Sequence, residues 1–231
     1  MTTKRGKKPV EDKKDRRKKD RRDPSIIIPT WPTHIPDIPE CPVRNEIHLV
    51  PPLGELLRAS GILMMMKEFN RENITPLVTQ ILEWNLMDTK HAPERIIMYI
   101  NSTGGEVSSA WHLIDIMKQS RIPIHTVATG VAASSACLTL MAGAHGHRYV
   151  THNSHVMSHV YSAGNGGKEH ELEARMEAFR QTSRSMVNHY IKCTGKTEAY
   201  IREFLLPKQD VWLTPDECVI HGIADFVIET Y

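Results

Sequence analysis

Gly130-Val131-Ala132-Ala133-Ser134-Ser135-Ala136-Cys137 follows the β-branched run Ile122 to Thr129 and opens an apolar segment that ends near Ala142. The pattern predicts a buried strand, a tight turn and a buried helix. A serine at such a junction exposes its hydroxyl. The N–H groups of the helix's first turn have no intrahelical acceptor and face whatever the serine attacks. Small neighbours (Ala132, Ala133, Ser135, Ala136) leave room for a substrate carbonyl to approach the backbone. The same residues also suit a plain helix start capped by Ser134 or Ser135, so the flanking segments decide between the two.

Upstream, Arg95 to Ile100 is a continuous apolar run, read as a buried strand. It is cut off by Asn101-Ser102-Thr103-Gly104-Gly105-Glu106, which leads into a helix over Val107 to Gln119. A Gly-Gly turn lets backbone N–H groups reach a ligand without side-chain interference, as an oxyanion hole requires. Downstream, Tyr149 to Thr151 and Ser154 to Val160 read as two short strands around His152-Asn153. They present several histidines, among them His155 and His159, and one of these would be a general base. Asp210, in Lys208-Gln209-Asp210-Val211-Trp212-Leu213-Thr214, precedes an apolar strand, where an acid can orient an imidazole.

The rest of the chain extends this alternation. A short helix is expected over Leu49 to Arg58, with Pro51 and Pro52 at its start, and a buried strand over Gly61 to Met66. Apolar residues recur at helical spacing from Asn73 to Met87, with Thr75-Pro76 as the start. Strands alternating with helices imply an α/β fold of βαβ units with a mainly parallel sheet, its chemistry at the strand-to-helix turns. A glycine-rich stretch, Ser162 to Gly167, precedes a long helix over Lys168 to Cys193, closed by Thr194-Gly195. About 24 residues of helix span roughly 36 Å, more than one small domain needs, so part of it should pack against another subunit.

With 231 residues, 40% of them hydrophobic, the chain can bury one sizeable core. Thr2 to Asp23 carry twelve Lys or Arg against five Asp or Glu, about +7, so the near-neutral total of +2 conceals an acidic remainder. Six prolines follow between Pro24 and Pro42, with Trp31 as a candidate anchor. Residues 1–45 are therefore expected to be a basic, Pro-rich flexible arm and 46–231 the folded domain. The arm reads first as a solvated tail, since no aromatic residue is interleaved in its basic part for base stacking. Nucleic acid and an acidic protein surface remain open as its partners. No secretory or membrane-spanning segment is recognisable, and four scattered cysteines (Cys41, Cys137, Cys193, Cys218) suit a reducing cytoplasm. Histidines 145, 147, 152, 155 and 159 lack any metal-site spacing, so neither metal nor cofactor is expected. No phosphate loop is present, which leaves ATP hydrolysis to a partner.

Three blocks resemble the proteolytic subunit of the Clp protease, ClpP. Asn101-Ser102-Thr103-Gly104-Gly105 resembles that family's Asn-Ser-Pro-Gly-Gly, Gly130 to Ser134 its Gly-Gln-Ala-Ala-Ser, and Asn153 to His159 its Asn-Ser-Arg-Val-Met-Ile-His. The likeness covers roughly Ile47 to Ile228. It implies a ClpP/crotonase-like spiral of βαβ units with a protruding handle helix. It further implies Ser134 as nucleophile, His159 as base, Asp210 as orienting acid, and Gly105 and Ser135 as oxyanion-hole N–H donors. Glu203 is a competing acid near the Asp210 position. The resemblance also implies two stacked heptameric rings, polypeptide substrates and an AAA+ unfoldase partner in the cytoplasm, or the host cytoplasm for a viral member. Ile97 and Tyr99 match the family's docking groove for that partner, whereas Gln119 stands near a usual aromatic. Ser135-Ala136 and Val160-Tyr161 depart from the family's Met-Gly and Gln-Pro. Two alternatives stay open: a crotonase-type acyl-CoA enzyme, and a catalytically silent or capsid-maturation assembly protein on the same ring fold.

Overall fold

Helix α1 (Leu53–Ala59) leads into strand β1 (Ile62–Met65), the first of a series of apolar strands separated by amphipathic helices. The computed structural model describes residues 52–162 and 169–228. The expected basic arm, its Trp31, the first residues of the helix predicted from Leu49 and most of the glycine-rich stretch lie outside these residues. Helix α2 (Arg71–Leu86), strand β2 (Ile96–Ser102), helix α3 (Val107–Gln119), strand β3 (Ile124–Ala133) and helix α4 (Ser135–Met141) follow. Next come β4 (Arg148–Thr151), β5 (His155–Ser158), α5 (Glu169–Thr194) and α6 (Glu198–Tyr200), then a π-helical turn at Ile201–Leu205. Strand β6 (Val211–Leu213), helix α7 (Pro215–His221) and strand β7 (Phe226–Ile228) complete the order.

In the parallel path β1-β2-β3-β4-β7 the central strands β2, β3 and β4 are largely buried, which is why they read as continuous apolar runs rather than alternating ones. The main core packs α2, α3, α4 and the second half of α5 on one face. A smaller cluster of the strands' own side chains, Ile97, Val127 and Tyr149 with Tyr99, Phe226 and Ile228 against it, lies on the other. The α/β architecture expected from the alternation is present. Antiparallel pairing occurs only between β5 and β6 among the described strands.

Strand β3 outruns its expected end at Thr129 and serves two partners. Its first half pairs with β4 (Val127 with Tyr149) and its second half with β5 (Ala132 with Val156). Gly130, at φ +74°, turns the strand between the halves, and a side chain there would meet the Asn101 amide at 2.9 Å. Ser154 closes the gap opposite by donating its hydroxyl to the Ala128 carbonyl at 2.8 Å. This fork puts β5 beside the end of β3, where the candidate serine sits.

Helix α2 starts earlier than the Thr75-Pro76 pair suggested. Asn70 caps it, its side chain accepting from the Asn73 N–H at 2.8 Å, and Pro76 lies inside. Pro76 is exposed, so the carbonyl it leaves unbonded faces water. Helix α5 spans about 39 Å at its 26 residues, and among its described side chains the buried ones (Met186, Val187, Tyr190, Cys193) lie in its second half. The π-helical turn was not anticipated. There the Leu206 N–H reaches back five residues to the Ile201 carbonyl at 2.7 Å.

Candidate active site

Ser134 is the one non-glycine described residue with a positive φ (+56°, ψ −120°), at the turn between β3 and α4. A side chain held there is strained, and the fold fixes it from two sides. The Ser134 N–H donates to the Met157 carbonyl of β5 at 2.9 Å, and the Leu138 N–H donates to the Ser134 carbonyl at 3.2 Å. Its hydroxyl stands 2.7 Å from Nε2 of His159, the residue that follows β5, and both residues are half-buried. With Nε2 accepting from the hydroxyl, the imidazole proton sits on Nδ1. His155, the other histidine left open by the strand pattern, begins β5 exposed to solvent.

The Gly-Gly turn packs directly on this serine. A side chain at Gly104 (φ +98°) would meet the Ala133 carbonyl at 2.7 Å and Cβ of Ser134 at 2.8 Å. Gly105 forms an isolated parallel bridge with Phe69, in which the Phe69 N–H donates to the Gly104 carbonyl and the Glu106 N–H to the Phe69 carbonyl, both at 2.7 Å. Ser135 donates its hydroxyl to the Gly105 carbonyl at 2.9 Å, stapling the turn to the start of α4. Among the described residues, neither the Gly105 N–H nor the Ser135 N–H is engaged by a backbone carbonyl.

Asp210 does not join the pair. It is exposed and makes no hydrogen bond or ion pair among the described residues, although the β5–β6 register (Met157 with Trp212, Ser158 with Val211) runs directly toward His159 and Asp210. Glu203, in the π-helical turn, is exposed as well. Cys137, three residues beyond Ser134, is fully buried, and burial pushes its thiol up to about 12, so no thiolate competes as nucleophile. Among the described residues no three His, Cys, Asp or Glu side chains converge as metal ligands, and no helix is long and apolar enough to cross a membrane. His147 instead stacks on His125 with ring centroids 3.9 Å apart.

A family model described as Clp protease matches residues 45–231. The chain belongs to the Clp protease family. By that membership it is a peptidase. It is 32% identical over 176 residues to the ATP-dependent Clp protease proteolytic subunit 2 of Corynebacterium diphtheriae, covering 76% of this chain and 86% of that protein. It is also 32% identical over 154 residues to the ATP-dependent Clp protease proteolytic subunit of Deinococcus radiodurans, covering 66% of this chain and 72% of that one. Against the Clp pattern, side chains that the motif reading passed over carry contacts here. Ser135 uses its hydroxyl to bond the Gly105 carbonyl rather than to cap α4, and the Ser158 hydroxyl stands where the family motif has an apolar isoleucine. A hydroxyl at an inward-facing strand position was the available signal for Ser158.

Proposed function

We propose that this chain is a serine endopeptidase, the proteolytic subunit of a self-compartmentalised Clp-type protease. The observation that supports it best is the strained Ser134 elbow with its hydroxyl 2.7 Å from His159 Nε2. In this reading His159 takes the Ser134 proton as Oγ bonds to the scissile carbonyl carbon. The Gly105 and Ser135 N–H groups receive the resulting oxyanion. The C–N bond then breaks, the proton passes from His159 to the leaving amine, and an acyl-enzyme remains. Water, deprotonated by the same imidazole, releases the second peptide and restores Ser134. Asp210 holds the Nδ1 proton of His159 in the working state.

The same reading makes α5 the element that docks one ring on another, since its packed second half leaves the first half (Met176 among it) exposed. Two heptameric rings would enclose the sites, and an AAA+ unfoldase would deliver unfolded chains to them. The deciding experiment is cleavage of a fluorogenic peptide by wild type and Ser134→Ala, with assembly followed by light scattering. Activity lost from an intact assembly supports the reading. Equal activity in both, or none in an assembled wild type, overturns it in favour of an assembly protein built on this fold.

A further inference from the structure

Behind the Ser134–His159 pair, four buried groups from four elements form one directed chain of hydrogen bonds. Ser158 donates its hydroxyl to the Leu205 carbonyl at 2.5 Å. A serine hydroxyl has one hydrogen, so at the 2.7 Å contact with Tyr190 the phenol is the donor and Ser158 accepts. Cys137 Sγ lies 3.8 Å from the Tyr190 oxygen, and its S–H is the remaining donor to it. Cys137, Ser158, Tyr190 and Leu205 are each at most 1% exposed. Burial, the largest effect, keeps the Tyr190 phenol protonated by raising its pKa well above the usual range.

The ends of this chain lie at the candidate machinery. Cys137 is one turn along the helix that Ser134 opens. Ser158 shares a peptide with His159 and, by strand alternation, faces the core while His159 faces Ser134. Leu205 ends the π-helical turn from which the backbone continues to Asp210. Tyr190 belongs to α5 and is the only link of the four outside the segments that carry Ser134, His159 and Asp210. Two hydroxyls in a dry core are costly unless paired, and an apolar pair would fill the same space. What the hydroxyls add is direction: each bond fixes the depth and rotation of the strand end, and bonds in series reinforce one another.

We propose that the Tyr190–Ser158 hydroxyl pair is a positioning element for His159, setting from the α5 side the distance between Nε2 and the Ser134 hydroxyl. This rests on the reading of Ser134 and His159 as nucleophile and base. Neither Tyr190 nor Ser158 touches substrate. Both act through the backbone that carries the imidazole.

The test is Tyr190→Phe, which removes one oxygen and no carbon, compared with Ser158→Ala and the double variant in assemblies matched by light scattering. Misplacing the base by a fraction of an ångström should lower kcat about tenfold while KM stays within about twofold. The limb of the pH–rate profile that reports the base should shift. The double variant should lose no more than the worse single, because the two hydroxyls act in series. A second readout does not need turnover: the ring signals of His159 in histidine-labelled protein, assigned with His159→Asn, should move in Tyr190→Phe. Wild-type kcat, pH profile and His159 signals in Tyr190→Phe would overturn the proposal. If cleavage survives Ser134→Ala, the catalytic reading fails by itself, and the His159 signals still decide whether the pair positions the ring.

Discussion

Asp210 lies one step beyond the Ser158–Val211 pair, on the register that leads to His159, yet it is exposed and unbonded among the described residues. Backbone pairing thus supplies the approach, and substitution tests whether the carboxylate completes it. Asp210→Asn is expected to lower kcat about a hundredfold or more, because the amide cannot stabilise the imidazolium. Glu203→Gln should leave peptide cleavage unchanged. The reverse ranking of these two variants in steady-state assays would hand the orienting role to Glu203.

Ser134 and His159 should behave as one unit. Each alanine variant is expected to cost about a thousandfold or more in kcat, and the double variant no more than the worse single. Additive losses would mean that the 2.7 Å contact is not used in turnover.

Gly105 has no room for a methyl group. At φ +142° a Cβ would stand 2.4 Å from the Phe69 carbonyl oxygen and 2.8 Å from its nitrogen, both backbone atoms. Gly105→Ala must therefore open the Phe69 bridge and shift the Gly105 backbone. A loss of about 1–3 kcal/mol in stability is expected, together with a fall in kcat larger than the change in KM. A variant that melts like wild type and cleaves at the wild-type rate would remove Gly105 from the oxyanion site.

What was legible beforehand follows from which physical signals are local. Helix α3 was bounded at Val107 and Gln119 because the Gly-Gly turn and the apolar period mark both ends. Ser134, His159 and the Gly104-Gly105 turn sit in short motifs, so their proximity was readable once the motifs were placed in order. The start of α2 was misread because Thr75-Pro76 carries a common helix-start signature, while the real cap, Asn70, itself a favoured capping residue, stands five positions before Thr75. The forked β3 was hidden because its two partners are specified by tertiary pairing at Gly130 rather than by composition. The Tyr190–Ser158–Leu205 chain was invisible for the same reason, since it joins residues 32 and 47 positions apart.

Arg148 ties three elements together from a position 3% exposed. Its guanidinium forks onto the Asp225 carboxylate, with Nε 2.9 Å from Oδ2, and its third arm donates to the Cys193 carbonyl at the end of α5 at 2.8 Å. Burial alone would raise the Asp225 pKa, but the hydrogen bonds and charge of Arg148 prevail and hold it below the usual carboxylate range. Asp225→Asn leaves a buried cation without its counter-charge and should cost about 3 kcal/mol or more. Chemical denaturation at neutral pH checks this, and a loss near zero would show that the cation finds water or another acceptor.

Two histidines should make the fold sensitive to mild acid. Burial, the largest effect, brings His189 down to about 4, with Lys118 and Lys192 adding to it and the Leu138 carbonyl contact and Asp115 opposing it. His125 is brought to about 4 by burial first, then by His147 and Arg95. In the unfolded chain each returns to about 6.5. Between pH 6.5 and 4 the unfolded state therefore binds protons that the folded state refuses. Stability present above pH 6.5 falls as the pH drops toward 4, by at most about 1.4 kcal/mol per pH unit for each histidine. Below pH 4 both states are protonated and these two groups add no further loss. His189→Gln retains an N–H for the Leu138 carbonyl but cannot titrate, so its urea midpoint should fall less steeply than wild type across this window. Parallel midpoint curves for the two proteins from pH 7 to 4.5 would show that His189 takes up its proton inside the fold without penalty, and would assign the acid sensitivity to other groups.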